Sequence, residues 1–425
     1  MKTRIAIFLN DIGPVVLPCN DQKELFGIVS GGSRLEHYAR ANYAGHIIPI
    51  HRSDSAPLSD KDVLDDAILH TDIRDQLHRY SVTAILVPAQ RSSRHIVTWA
   101  HDNHIELLQV PHTLQRSLEN KMQFDALMRE WNISTPPRID MHTLSVKSNE
   151  VVVVQKQTGC GGAGTKIVNT KELFRQPTNG AMLIRKYIDG VPYGVSIIID
   201  ADKNYFCSAL RRQCFIIQKN GSPQLLGLQW IPTSSFSQKS LTAIESMLSR
   251  LIAVLCRQSF VGIANIDFML SKDKTYVLEC NPRFSGATPQ VFSVKKITSR
   301  PHPWRFLLNA YQRKKNIPIH NCTVPQSTYC GSLTYIDVEK KMKVCGDIPV
   351  GIFTIQKNVL HPSRQKSSRS FFLLHDLPLN TSTVGKGDTL CYILNDNPLF
   401  TNTGQLSSDA TALRAACLAA FIPHD

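Results

Sequence analysis

Residues 276–284 read YVLECNPRF. The stretch begins as a core strand and ends with Glu279, Asn281 and Arg283 at alternate positions. In an extended chain, alternate side chains share a face. A carboxylate, an amide oxygen and a guanidinium would then line one wall, fit to hold a divalent cation beside an anion. Taken alone, the same residues describe a strand fraying into a turn at Pro282.

Upstream, Asp267 lies in NIDFML, on the other arm of a hairpin whose turn is SKDK. So short a turn places Asp267 nearly opposite Glu279 on one face. Neighbouring carboxylates repel, and burying them unpaired is costly. A divalent cation resolves both problems. Asn281 adds a neutral oxygen ligand, and magnesium favours all-oxygen shells completed by phosphates. The competing structural reading is a solvated hairpin in which Glu279 pairs with Arg283.

A second motif is EVVVVQKQTGCGGAGTKIV, residues 150–168. Gly159, Gly161 and Gly164 match G-x-G-x-x-G by spacing. The dinucleotide fingerprint needs a helix after the third glycine, and the β-branched TKIV follows instead. A P-loop fails too, because Thr165 precedes Lys166. What remains is a strand–loop–strand flap whose glycines, Gly162 included, let backbone amides approach phosphate oxygens. Lys156, just before the loop, would add positive charge. An ordinary flexible hairpin with an exposed lysine is the alternative.

The 425-residue chain is 42% hydrophobic and 19% charged, enough for a sizeable core. Its net charge of +14 is scattered and forms no nucleic-acid tail. It suits an acidic substrate or a polyphosphate. The eleven cysteines contain no CxxC pair and no zinc-like spacing, and read as reduced thiols of a cytoplasmic protein. No apolar run is long enough to span a membrane. The opening MKTRIAIFLNDIG reads as a first strand rather than a signal segment.

Residues 1–115 alternate strand and helix, which argues for a parallel sheet covered by helices. The strands are RIAIFL, HIIPIH, AILVPA and IELLQV. The helices cover 31–45, about 62–79, and 92–104. From Ser117 to Asn132, Leu118, Met122, Phe124, Leu127, Met128 and Trp131 recur at helical spacing. Strands, an amphipathic helix over 240–259 and the Asp267–Glu279 hairpin follow. After a helical segment at about 303–313, the last hundred residues read as β-rich with a closing helix near Ser408. The expected domains are 1–115, 116–325 with a flap subdomain at about 150–190, and 326–425.

The order of these motifs resembles the ATP-grasp superfamily. Its members share a lysine opening a helix, a lysine followed by a glycine-rich flap, a strand whose backbone reads adenine, and a Glu-x-Asn magnesium strand. Here these are Lys121, Lys156 before GCGGAG, MLIRKYIDG, and Asp267 with Glu279 and Asn281. The resemblance covers roughly 1–325 and, more weakly, the tail. It implies an α/β and α+β chain: an ATP-grasp fold behind an N-terminal α/β domain, with a mainly β C-terminal domain.

The implied chemistry is ATP-dependent carboxylate–amine ligation through an acyl phosphate, in the manner of carbamoyl-phosphate-synthetase-like members. ATP would be held by Lys121, Lys156, Gly159, Gly161, Gly162, Gly164 and the segment Lys186, Tyr187 and Ile188. The metal, magnesium or manganese, falls to Asp267, Glu279 and Asn281. Arg283, Lys156 and Arg211 would serve the transition state, with Arg211 or its neighbour Arg212 facing substrate. The implied partners are a small-molecule carboxylate and amine, with a homodimer as the assembly, and neither nucleic acid nor membrane.

Two departures stand out: family members often carry an acid at the position of Arg185 and another at that of Pro192, to hold the ribose. Biotin-carboxylase-like members carry Gln and Glu where this chain has Ser285 and Ala287, which argues against bicarbonate chemistry. A phosphotransferase activating a non-carboxylate oxygen, or a non-catalytic nucleotide-binding module, are the other readings the motifs permit.

Overall fold

The fold was analysed in a computed structural model, which describes residues 4–8, 25–30, 33–42, 46–50, 71–87, 94–141, 149–157, 159, 162–175, 182–272, 274–293, 302–314, 324–338, 340–344, 348–356, 359–364, 367, 369–375, 382–385 and 389–422. Gly161 and Cys160 lie outside these residues.

The N-terminal region is a parallel five-stranded sheet with strand order β3-β2-β1-β4-β5. Its strands are β1 (Ile5–Phe8), β2 (Leu25–Ser30), β3 (His46–Ile50), β4 (Ala84–Leu86) and β5 (Glu106–Leu108). Helices α1 (Arg34–Asn42), α2 (Thr71–Arg79) and α3 (Arg94–Asp102) connect them. The sequence reading passed over β2, although LFGIVS is almost wholly buried beside β1. Its Gly27 and the absence of polar alternation hid it, as is usual for a strand covered on both faces.

The helix expected over Ser117–Asn132 is two: α4 (His112–Glu119) and α5 (Lys121–Glu130). Asn120 is the joint. Its backbone is extended and its side-chain oxygen accepts from the amides of Met122 and Gln123, which caps α5. The cap is why Lys121 opens a helix.

Strands β6 (Val151–Lys156), β7 (Thr165–Asn169) and β8 (Met182–Lys186), with the short α6 (Thr170–Arg175), form a separate three-stranded sheet ordered β7-β6-β8. This is the flap. The main sheet follows with β9 (Val191–Ile199), β10 (Tyr205–Cys207), β11 (Arg211–Ile217), β12 (Pro223–Trp230), β13 (Gly262–Ser271) and β14 (Lys274–Asn281). Helix α7 (Gln238–Arg257), capped by Ser237, backs it with Ile244, Leu248, Leu251 and Leu255 at helical spacing. Those side chains pack with Ile266, Phe268, Val277 and Cys280 in one core cluster.

Two short helices, α8 (Thr288–Ser293) and α9 (Pro303–Tyr311), precede the C-terminal strands. Those are β15 (Ser332–Asp337), β16 (Met342–Val344), β17 (Gly351–Gln356), β18 (Val359–Pro362), β19 (Phe371–Leu374), β20 (Ser382–Val384) and β21 (Thr389–Asn395), closed by α10 (Ser408–Ala420). β16 and β20 pair as a separate two-stranded sheet, and the others extend the main sheet. β15 pairs with β12, so one eleven-stranded antiparallel sheet runs β14-β13-β9-β11-β12-β15-β21-β19-β17-β18, with β10 paired to β9. The C-terminal strands are therefore rigidly tied to the wall that carries Asp267.

Candidate active site

Asp267 on β13 is the direct partner of Glu279 on β14. The pairing slips one residue further on, where Phe268 pairs with Val277. Leu278 is thus an extra residue in β14, a β-bulge. Simple alternation would put Val277 on the face of Glu279. The bulge instead turns Val277 and Cys280 into the core beneath α7 and lets Leu278 and Glu279 both line a cavity of about 400 Å³. The bulge carbonyl is not wasted: Leu278 O accepts from Arg185 Nη1 at 3.3 Å.

Lys121 Nζ donates to Glu279 Oε2 at 2.5 Å, and Asn281 Nδ2 donates to Glu279 Oε1 at 3.0 Å. Burial raises the proton affinity of Asp267, as does the neighbouring Glu279, with Arg211 opposing. Burial acts on Glu279 in the same sense, but its ion pair with Lys121 outweighs it and holds this carboxyl well below the usual range. Gln213, which also lines the cavity, hydrogen-bonds to Asp267.

The neighbouring strand fixes Asp267 from the side. Gly194 on β9 pairs with both Asp267 and Arg211. A Cβ at position 194 would lie 2.8 Å from Asp267 Oδ1 and 3.2 Å from Arg211 Nη2. The missing side chain lets carboxylate and guanidinium converge. Arg211 is buried, donating to Ser196 Oγ at 3.0 Å and Asn265 Oδ1 at 3.1 Å. Asn265 in turn donates to Arg283 O at 2.7 Å. The Arg283 guanidinium pairs with Glu119 at 3.1 Å and does not line the cavity. Of the arginine pair, Arg211 is the buried member, and Arg212 lines the cavity while donating to Asn402 O.

Gly159, Gly162, Lys186, Tyr187 and Ile188 line the cavity, and Gly164 does not. Among the described residues, the amides of Tyr187 and Ile188 donate to no backbone carbonyl, which leaves them available to a ligand. Gly162, at φ +91°, presses on Pro223 O, where a Cβ would come within 2.2 Å. Ile167 N donates to Gly221 O at 2.8 Å. The flap therefore lies closed on the β11–β12 turn.

Lys156 does not join the site. Alternation along β6 aims Val153 and Gln155 into the cavity and leaves Lys156 exposed, with its stem against Gly164. A one-residue difference in register exchanges faces, and Gln155 holds the position that the sequence reading gave to Lys156.

Arg185 lines the cavity, and its charge is matched: Nη2 lies 3.0 Å from Asp125 Oδ1 on α5, with both side chains buried. Burial lowers the Arg185 pKa while Asp125 opposes the shift. The basic residue at this position is thus paired with an acid from the helix that Lys121 opens. Thr403 and Gly404, from the C-terminal region, complete the lining. Gln213, Gly194, Thr403 and Gly404 carry no local motif and were beyond sequence reading. Only the registers of β9, β11 and β13 bring the first two to Asp267.

Among the described residues, no group of three or more His, Cys, Asp or Glu side chains is gathered. The oxygen set is the Asp267–Glu279 pair with Asn281. No helix among the described residues is long and apolar enough to cross a membrane.

The central region has the ATP-grasp fold. Residues 118–287 match the model of the ATP-grasp domain. Over 198 residues, 43% of the chain, it is 28% identical to the carbamoyl phosphate synthase large chain of Synechocystis, and the match takes in 18% of that relative. The biotin carboxylase domain of Hydrogenobacter thermophilus 2-oxoglutarate carboxylase, solved with MgADP and bicarbonate, superposes with a TM-score of 0.62 at 14% identity, covering 93% of this chain and 86% of that one. Campylobacter jejuni biotin carboxylase gives 0.60 at 13%, covering 99% and 92%. N5-carboxyaminoimidazole ribonucleotide synthetase of Thermotoga maritima gives 0.55 at 11%, covering 99% and 98%. At these identities the solved structures establish the fold.

Proposed function

We propose that this protein is an ATP-dependent ligase that joins a small-molecule carboxylate to an amine, releasing ADP and phosphate. The observation that carries the reading is the direct pairing of Asp267 with Glu279, engaged by Lys121, on the wall of a flap-covered cavity. The donor set fits a magnesium nucleotide. A buried carboxylate pair with Asn281 beside it has the oxygens and the concentrated negative charge that a divalent cation satisfies. Bound MgATP would supply the γ-phosphoryl group that turns the carboxylate into an acyl phosphate, from which the amine displaces phosphate.

The chain's own residues do the rest. Asp267, Glu279 and Asn281 hold the cation. Lys121 and Arg212 bring positive charge to the cavity, where it offsets the charge of the phosphates. Arg211 and Arg283, tied together through Asn265, take the substrate side. Tyr187 and Ile188 offer backbone amides to the base, and Gly159 and Gly162 bring the flap against the phosphates. With the flap closed on Gly221 and Pro223, bulk water is kept from the reactive phosphate. The carbamoyl phosphate synthase relative supports this chemistry, because a carbamoyl phosphate is itself an acid–phosphate anhydride. We propose a cytoplasmic homodimer, the compartment resting on cysteine spacing that contains no CxxC pair.

Release of ADP with pooled carboxylates and pooled amines tests the reading. Turnover that needs one member of each pool supports it. Tight ATP binding without turnover in any pool would indicate a nucleotide-binding module instead.

A further inference from the structure

Tyr335 belongs to β15, outside the region that matches the ATP-grasp domain. The continuous sheet brings it back to the site. Its hydroxyl lies against Gly286, three residues beyond Arg283: a Cβ at position 286 would come within 2.3 Å of the hydroxyl oxygen and 3.1 Å of the ring. The ring stands edge-on to Tyr392 at 5.5 Å and packs with the core cluster that contains Phe284 and Ala287. Its position is thus fixed by the strand behind it and the aromatic ring beside it. Among the described residues the hydroxyl forms no hydrogen bond. Burial raises its pKa, with Arg211 opposing and Asp337 and Asp267 adding to the shift, so the hydroxyl is a neutral donor. It is not part of the nucleotide-sized cavity.

A fixed, neutral, unspent hydroxyl against the loop after Arg283, on the sheet face that also carries Gln213 and Arg211, has no structural task in the sheet. We propose that Tyr335 contacts the acceptor side of the reaction, donating its hydroxyl proton to an oxygen of the substrate carboxylate and of the acyl phosphate made from it. A phenol cannot form a two-pronged ion pair, so this position selects for an oxygen acceptor without demanding a second negative charge. The inference rests on the ligase reading above.

The test is calorimetric titration of phosphonoacetate, a stable carboxyl–phosphate analogue, into the full chain saturated with MgADP. Tyr335→Phe keeps the ring against Tyr392 and Gly286 and removes only the hydroxyl. We expect at least tenfold weaker phosphonoacetate binding in Tyr335→Phe, with MgADP affinity unchanged within about twofold, the size of loss that follows from one hydrogen bond to a charged group. Undiminished phosphonoacetate binding would overturn the assignment of Tyr335 and leave the ligase reading standing. Parallel loss of MgADP and phosphonoacetate binding would overturn it by showing a structural role. A wild-type chain that binds MgADP but no phosphonoacetate would overturn the acceptor-side assignment of Tyr335, while the ADP-release assay decides the ligase reading separately.

Discussion

Gly194 makes room for Asp267. The position directly across the strand pair is held open for a carboxylate oxygen, with Arg211 entering from the other side. Gly194→Ala should displace that oxygen by a fraction of an ångström or more. Misplacements of about 1 Å in such sites cost about 10²-fold in rate. ADP formation in Gly194→Ala should fall by about that factor while the circular-dichroism spectrum and melting cooperativity stay native. An unaltered rate would show that Asp267 is not held where the chemistry needs it.

The buried Asp125–Arg185 pair joins α5 to the base-side strand β8. Breaking a buried pair from one side leaves an uncompensated charge and costs roughly 3–5 kcal/mol. Asp125→Ala should lower the denaturation midpoint accordingly. The double variant Asp125→Ala with Arg185→Met should recover most of that loss, since a matched apolar replacement is often neutral. Additive losses in denaturant melts would contradict the pairing.

Side-chain direction at the flap gives a sharper contrast. Gln155 lines the cavity and Lys156 stands exposed on the opposite face. Lys156→Ala should leave MgADP affinity within about threefold, a change of under 1 kcal/mol. Gln155→Ala should weaken it by more. The reverse ranking in fluorescence titrations would show that the register of β6 is other than described.

His375 predicts an acid-side weakness. Its Nε2 lies 2.8 Å from Ile348 O, which can only accept, so the ring is the neutral Nε2–H tautomer. Burial, with Arg34 adding to it, lowers its pKa from 6.5 to about 4. Between those values the unfolded chain takes up a proton that the folded chain refuses. Stability is intact above about pH 6.5 and falls by about 1.4 kcal/mol per pH unit toward pH 4, roughly 3 kcal/mol in all. Urea melts of His375→Gln should show a shallower decline than wild type over that window. Parallel curves would rule out this source.

The legibility of the sequence followed the range of the interactions. The hairpin that brings Asp267 close to Glu279 was readable because the short turn SKDK joins their strands, although the turn register by itself pairs Asp267 with Leu278. Lys121 at a helix start was readable because Asn120 caps it. The bulge at Leu278 was not, since one extra residue in β14 is defined only by its pairing with β13. That bulge, and not alternation, is what aims Glu279 into the cavity. Lys156 was misplaced for a related reason: the flap loop could be drawn with either Gln155 or Lys156 facing inward until β7 and β8 fixed the face. Gly194, Gln213 and Tyr335 reach the site across strands far apart in sequence. The seam near residue 325 looked like a boundary from its prolines, yet β12 and β15 pair across it.

The central claim is that Asp267 and Glu279 form the seat of a magnesium nucleotide. Measuring ATP affinity with and without Mg²⁺, in wild type and in Glu279→Ala, tests it most directly. The account predicts that Mg²⁺ tightens ATP binding to the wild type by at least tenfold and that Glu279→Ala, still folded, loses that dependence. An equal Mg²⁺ effect in both proteins would contradict it.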